Sequence, residues 1–244
     1  MQDATATYYP IKLPSRCLVY EGIAKDNVQD QIKIRAFKGR DEKLIAEISA
    51  DNFEKKFLTI LNNVLIGIEP SKLTVGDRQF LMLWQTINSY DKNISVTSEC
   101  EHCFQKADYN IDISTLEVNY LQEDFKEPYE VTLPESKALL KLRLLRLEDL
   151  ANIDDLSKLG KSVWLYRFAL SIVNSKTVWE NMEYLENLST KDVMIIRAFH
   201  EKFNHGVKME TSCSCPKCGG VGLVPVPFRL EMLLPYGEKI KQYI

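Results

Sequence analysis

No stretch of about 18 consecutive apolar residues occurs in this 244-residue chain, so no membrane-spanning helix is expected. Lysine and arginine number 31 against 34 aspartates and glutamates, a net charge of −3. The chain therefore lacks the basic excess that points to duplex nucleic acid. Glycine and proline are few, at 10 and 9, which excludes a collagen-like or low-complexity chain. The opening Met1-Gln2-Asp3-Ala4-Thr5 has no basic region followed by an apolar one, so no secretory signal is expected. G-x-S-x-G, H-E-x-x-H, P-loop and G-x-G-x-x-G signatures are also missing, and no catalytic residue is expected. Carboxylates are plentiful, but on helices they read as solvated faces.

What is present fits a soluble globular protein, 45% hydrophobic and 27% charged, with enough chain to bury a core. Its length is long for one domain and short for two. Four of the six cysteines form two C-x-x-C turns, Cys100-Glu101-His102-Cys103 and Cys215-Pro216-Lys217-Cys218-Gly219. That usage suits a reducing compartment and metal binding better than a disulfide framework. A structural zinc ion takes four thiolates in a tetrahedron, and each turn supplies two. The expectation is one structural zinc per chain, held by Cys100, Cys103, Cys215 and Cys218 with no open position for substrate. A redox dithiol would sit at a helix N-terminus after a strand, whereas both turns lie between strand-like runs. Cys213 would chelate poorly through a C-x-C turn, and His102 is expected to face solvent. Cys17 reads as a small buried hydrophobe. His200 and His205 are five apart and so lie on different helix faces, as helix-end residues and not as joint ligands.

The two cysteine turns are 112 positions apart (215 − 103), far more than in a zinc ribbon. The chain order explains the gap. Residues 9–37 read as extended, ending in the alternating Ile32-Lys33-Ile34-Arg35. A helix follows over 41–48. A second, capped by Asp51 or Asn52, carries Phe53, Phe57, Ile60, Leu61, Val64 and Leu65 on one face and ends at Gly67 and Pro70. Thr74 caps a third helix, with Asp77 placed to return a bond or to meet the helix dipole. Ile94–Thr97 and Ala107–Ile113 read as strands flanking the first turn, and Leu116–Lys126 as a polar linker.

The second half then echoes the first. Val131-Thr132-Leu133-Pro134-Glu135-Ser136 repeats Ile11-Lys12-Leu13-Pro14-Ser15, and Leu140-Lys141-Leu142-Arg143 repeats Ile32–Arg35. A helix is expected over 162–173. Leu188-Ser189-Thr190-Lys191-Asp192 repeats Leu73-Thr74-Val75-Gly76-Asp77, and from there both halves run ungapped to their C-x-x-C. His205-Gly206 reads as a helix stop, and Val221–Phe228 as an edge strand carrying Pro225 and Pro227. The expected fold is α+β, with two pseudo-symmetric repeats over 1–120 and 127–244. Each closes on a zinc-knuckle hairpin, and they share one four-cysteine, zinc-ribbon-like site.

The order Leu13-Pro14-Ser15…Tyr20, Ile32–Arg35, Asp41–Leu44, Leu73-Thr74-x-x-Asp77-Arg78, C-x-x-C, C-P-x-C-G and Val224-Pro225-Val226-Pro227-Phe228 resembles the baseplate hub assembly proteins of T-even-type bacteriophages. The resemblance covers about residues 9–235. Cys17 departs from it, at a position where glycine is expected. The resemblance implies a non-enzymatic hub protein or hub assembly factor that binds phage baseplate hub proteins, without nucleic acid, membrane or small-molecule substrate. It would act in the host cytoplasm during assembly or in the virion tail baseplate. An apolar C-terminal stretch, Leu230, Met232, Leu233, Leu234, Pro235, Tyr236 and Ile240, is a candidate docking segment. The alternative is a zinc-ribbon nucleic-acid-binding or transcription-associated protein, which would need a basic stripe with exposed aromatics.

Overall fold

The computed structural model describes residues 6–49, 52–150 and 162–227. The C-terminal docking stretch and Asp51 lie outside these residues. Near the start, β2 (Lys33–Ile34) is flanked by β1 (Tyr9–Pro10) and β3 (Leu65–Ile66), both antiparallel to it. Between β1 and β2 the chain is not extended, as its pattern suggests, but turns repeatedly. Side-chain bonds to the backbone outcompete a strand ladder here. The buried Asp77 carboxylate accepts the Ser15 N–H at 2.8 Å and the Tyr20 hydroxyl. The Asn27 amide accepts the Ile32 N–H and donates to the Ile11 and Ile32 carbonyls. Cys17 is buried, as expected, at a φ of 57°. That left-handed backbone is the conformation glycine adopts most readily, which accounts for the glycine expected there.

Helix α1 (Gly39–Ala46) packs on α2 (Phe53–Val64), whose Phe57, Ile60, Leu61 and Val64 are all buried. Helix α2 stops at Val64 and not at Gly67, because Leu65 and Ile66 leave it to pair with β2. Asn52 flanks α2 without capping it; its side chain accepts the Ser49 N–H instead. Helix α3 (Val75–Ser89) begins as expected, the Thr74 hydroxyl accepting the Asp77 N–H at 3.2 Å. Next come the hairpin strands β4 (Asn93–Glu99) and β5 (Lys106–Asp112). Their buried Ile94, Val96, Ala107, Tyr109 and Ile111 alternate with more exposed residues, the period of two that buries one face.

The connection after β5 is more than a polar linker. Its β6 (Val118–Asn119) pairs with β9 (Gly206–Val207), and the Leu121 N–H donates to the Pro14 carbonyl. Leu121 and Phe125, set among acids, are buried in the second core. Strands β7 (Tyr129–Thr132) and β8 (Leu139–Leu142) then pair antiparallel, followed by α4 (Leu147–Leu150) and α5 (Val163–Ser171). Helix α6 (Val178–Glu186) was not anticipated, although Thr177 and Glu180 form a capping box at its start. Helix α7 (Thr190–Lys202) is capped by the Ser189 hydroxyl, and β10 (Glu210–Ser214) pairs with β11 (Val221–Pro225).

Among the described residues, two clusters of buried residues result. One centres on Ile32, Ile34, Phe57 and Leu81 and also takes in Leu147, Leu150, Cys215 and Val224. The other centres on Leu133, Leu142, Leu165 and Phe199. They meet where α3 begins. There Val75, packed on the first cluster, lines one groove with Leu144 and Phe203 of the second, and a Cβ on Gly76 would lie 2.2 Å from the His205 carbonyl oxygen. Gly206, at a φ of 112°, forms the other side of that contact; it does not end α7, which stops at Lys202.

Matching interactions recur along the chain. The Arg35 guanidinium donates to both Asp41 oxygens at 2.7 and 3.1 Å, and its backbone N–H donates to the Val64 carbonyl. Further on (143 − 35 = 108), Arg143 donates to both Asp149 oxygens at 2.7 Å, and its N–H to the Ser171 carbonyl. Asp192 accepts the Glu135 and Ser136 N–H groups at 2.8 and 3.0 Å, much as Asp77 accepts that of Ser15.

The two ion pairs differ in burial. Arg35 and Asp41 side chains are 1% and 0% exposed, whereas those of Arg143 and Asp149 are 29% and 7% exposed. Removing one partner of a buried pair leaves an uncompensated charge, at a cost of ~3–5 kcal/mol. Arg35→Gln is therefore expected to cost that much in urea unfolding, and Arg143→Gln clearly less. Equal losses would show that burial does not set the energetics of the pair.

Candidate metal centre

Each cysteine turn is built by the same backbone bonds. In the first, the Cys100 N–H donates to the Gln105 carbonyl at 3.1 Å and the Phe104 N–H to the Cys100 carbonyl at 2.9 Å. In the second, the Cys215 N–H donates to Gly220 and the Gly219 N–H to Cys215, both at 2.8 Å. The His102 and Lys217 N–H groups each donate to the leading sulfur, Cys100 Sγ or Cys215 Sγ, at 3.4 Å. The turns close on residues with positive φ, 73° at Gly219 and 56° at Phe104. Glycine fits that conformation freely, whereas for an L side chain such as Phe104 it costs ~1–2 kcal/mol.

The hairpins face each other so that all four sulfurs lie within 4.8 Å of one another. Cys100 Sγ is 3.8 Å from Cys218 Sγ, and Cys103 Sγ is 4.0 Å from Cys215 Sγ. These separations far exceed the roughly 2.05 Å of a disulfide, and all six cysteines are free thiols. Four thiolates placed tetrahedrally at about 2.3 Å from an ion stand about 3.8 Å apart, so the cluster fits a four-coordinate metal ion. Cys100 and Cys215 are buried, Cys103 is half-buried and Cys218 is exposed. The Lys217 N–H, followed by that of Cys218 and by neighbouring side chains, pulls the Cys215 thiol down to about 6 against the cost of burial. The Cys103 and His102 N–H groups lower Cys100 likewise. Cys218 accepts from Gly220, yet desolvation and the neighbouring thiols push it up to about 11. A cation would allow all four to be thiolates.

Two neighbours of the cluster were not assigned these roles from sequence. His102 is exposed but does not simply face solvent. Its Nε2–H donates to the Val221 carbonyl at 2.8 Å, clipping the first turn to β11. A Cβ on Gly220 would lie 2.6 Å from the His102 ring, so a glycine there makes room for the clip. Tyr109, buried on β5, sits against the sulfurs of Cys215 and Cys100; burial first and those thiols second raise its phenol above the usual range. No spacing rule links residue 109 to the cluster, although its inward place in the strand alternation was visible. Cys213 is not among the four clustered sulfurs; it pairs with Gly222 in the hairpin register. His205 Nδ1–H donates to the Phe203 carbonyl at 3.0 Å, and its Nε2 accepts from the Thr74 hydroxyl at 2.7 Å. His200 Nε2 lies 3.1 Å from Ser171 Oγ. Both histidines are held at or just beyond the end of α7, away from the sulfurs.

A family model described as T4 bacteriophage base plate protein matches residues 19–226. No curated protein and no solved structure matches.

His102→Ala removes the clip without removing a sulfur. Outer-shell changes of this kind cost ~10–100-fold in metal affinity. Competition with a chromogenic chelator should show a loss near the lower end of that range, with unchanged stoichiometry, whereas Cys215→Ser should abolish tight binding. Full retention in His102→Ala would show that the clip does not set the sulfur positions.

Proposed function

The chain belongs to the T4 bacteriophage base plate protein family, and from that premise we propose that it is a non-enzymatic hub component or hub assembly factor held in shape by one structural zinc. The observation that carries this reading is that the matched span encloses both cysteine turns and the closed cluster they form. Four sulfur ligands complete a tetrahedron and leave no position for substrate, the arrangement of structural and not catalytic zinc. Zinc suits a four-thiolate tetrahedral set better than magnesium or calcium, which take oxygen. Structural zinc contributes ~10–16 kcal/mol at pH 7 in small domains, and that binding energy becomes folding energy. Here it would tie together segments 112 positions apart.

The same reading makes the chain a duplicated unit, with repeats over 1–120 and 127–244. Its support is the recurrence of the Arg–Asp pair, the capped helix with its buried carboxylate, and the cysteine hairpin, in that order, in each half. The partners are other baseplate proteins, hub proteins first, and the site of action is the tail baseplate. The acidic balance favours protein partners over nucleic acid. Among the described residues no helix is long and apolar enough to cross a membrane.

Elemental analysis of protein purified without chelator should find about one zinc per chain. Two per chain, or none, would reject the shared site. Phage carrying Cys100→Ser together with Cys215→Ser should accumulate incomplete baseplates. If the wild-type chain occurs neither on baseplates nor on their assembly intermediates, the hub role is rejected.

A further inference from the structure

Away from the sulfurs, a groove of about 410 Å³ runs along the seam where the two cores meet. Its floor is Leu144, Leu145 and Phe203, all buried. One wall is an aromatic series. Trp164 stands edge-on to Phe168 at 5.6 Å, and Phe168 stacks on His200 at 5.1 Å and 9°. Trp164 is 50% exposed, so half of this large side chain contributes nothing to the fold's own burial. The groove also carries the amides of Gln79 and Asn204, which suit the backbone of an extended segment.

Its charge is equally specific. Among the described residues no aspartate or glutamate lines it, on a chain whose net charge is −3. Arg167 lies on the rim, and among the described residues no carboxylate pairs with it. His200 adds no second charge near neutrality, because burial first and Arg167 second push it down to about 4. Both ring nitrogens of His205 are already engaged. A single guanidinium beside an aromatic wall suits one carboxylate next to an apolar side chain. It does not suit a polyphosphate backbone, which calls for several cations.

The geometry points to this groove as the docking site for an extended acidic segment of another baseplate protein. An apolar side chain would seat on Trp164 and Phe168, and a carboxylate would pair with Arg167. This inference rests on the baseplate reading above for the identity of the partner. The groove's size fits a few side chains, the scale of peptide recognition and not of a large obligate interface.

The test uses the full-length, metal-loaded chain and two acetylated, amidated nonapeptides. Both carry the same central Leu-Phe pair, flanked in one by glutamates and in the other by lysines. Tryptophan fluorescence reports binding, and Trp164→Phe identifies which of the three tryptophans responds. The glutamate peptide is expected to bind at least about tenfold more tightly, a difference of about 1.4 kcal/mol. Arg167→Glu should reverse the preference while leaving Tm unchanged. Equal affinities, or no saturable binding by either peptide, would overturn the proposal. So would glutamate-peptide binding that appears only after truncation behind Pro227, since that would give the groove to the chain's own C-terminal segment. Failure of these measurements with zinc content and baseplate association intact would remove the groove assignment alone. Absence from baseplates would remove the functional reading whatever the peptides do.

Discussion

The convergence of two hairpins from distant parts of the chain is the constraint on which the rest of the structure depends. Four sulfurs within 4.8 Å require residues 104–214 to leave the cluster and return to it. Closing so long a loop costs entropy, though the cost grows only slowly with length. The return is supported along the way. Strand β6 pairs with β9, the Lys208 N–H donates to the Glu117 carbonyl, and Leu147 bonds to Leu73. At the start of α3, the Thr74 hydroxyl both caps its own helix and reaches His205, which lies 131 positions away. The sulfur cluster is therefore the last of several ties between the halves. A bound ion would lock an approach that backbone pairing has already aligned.

Each half fixes its internal geometry with charged groups held by directed hydrogen bonds. Asp41 and Asp149 each take two bonds from an arginine and one from a backbone N–H near the start of the following helix. A carboxylate there also meets the positive end of the helix dipole. Asp77 and Asp192 play the other part. Each sits in the first turn of a capped helix and accepts backbone N–H groups from the turn that follows Leu13-Pro14 or Leu133-Pro134. These bonds specify where the turn docks more sharply than apolar contact would, because a misplaced buried carboxylate loses its partners outright.

Much of this was legible in the sequence, for identifiable reasons. The four ligand candidates were legible because C-x-x-C is a local geometry that survives any tertiary context. Helix α2 was legible through apolar spacing, α3 through the cap at Thr74, and α7 through the repeat of that capping motif at Leu188–Asp192. The turns at 14–20 were not, because the bond that fixes them comes from Asp77, far along the chain. Leu116–Lys126 read as a linker because three acids, Glu117, Glu123 and Asp124, are interspersed with its three buried anchors, Leu116, Leu121 and Phe125. Helix α6 carried its own signal, Thr177 and Glu180, but an apolar face too weak to draw attention. The clip from His102 to Val221 joins two chain segments whose relation only the fold supplies.

The two turns also show how one backbone geometry accepts different side chains at unequal cost. Gly219 and Phe104 occupy the same place in their turns, and both have positive φ. The glycine is the unstrained choice. The phenylalanine is strained and 74% exposed, so neither its conformation nor its burial explains it. The neighbouring position in the strands differs as well, with Tyr109 against the sulfurs on one side and Val224 buried on the other. A cluster supplied equally by both hairpins in its ligands is thus unequal in its surroundings. The first hairpin contributes the clip, the phenol and an exposed aromatic tip, and the second contributes Gly220, which makes room for the clip.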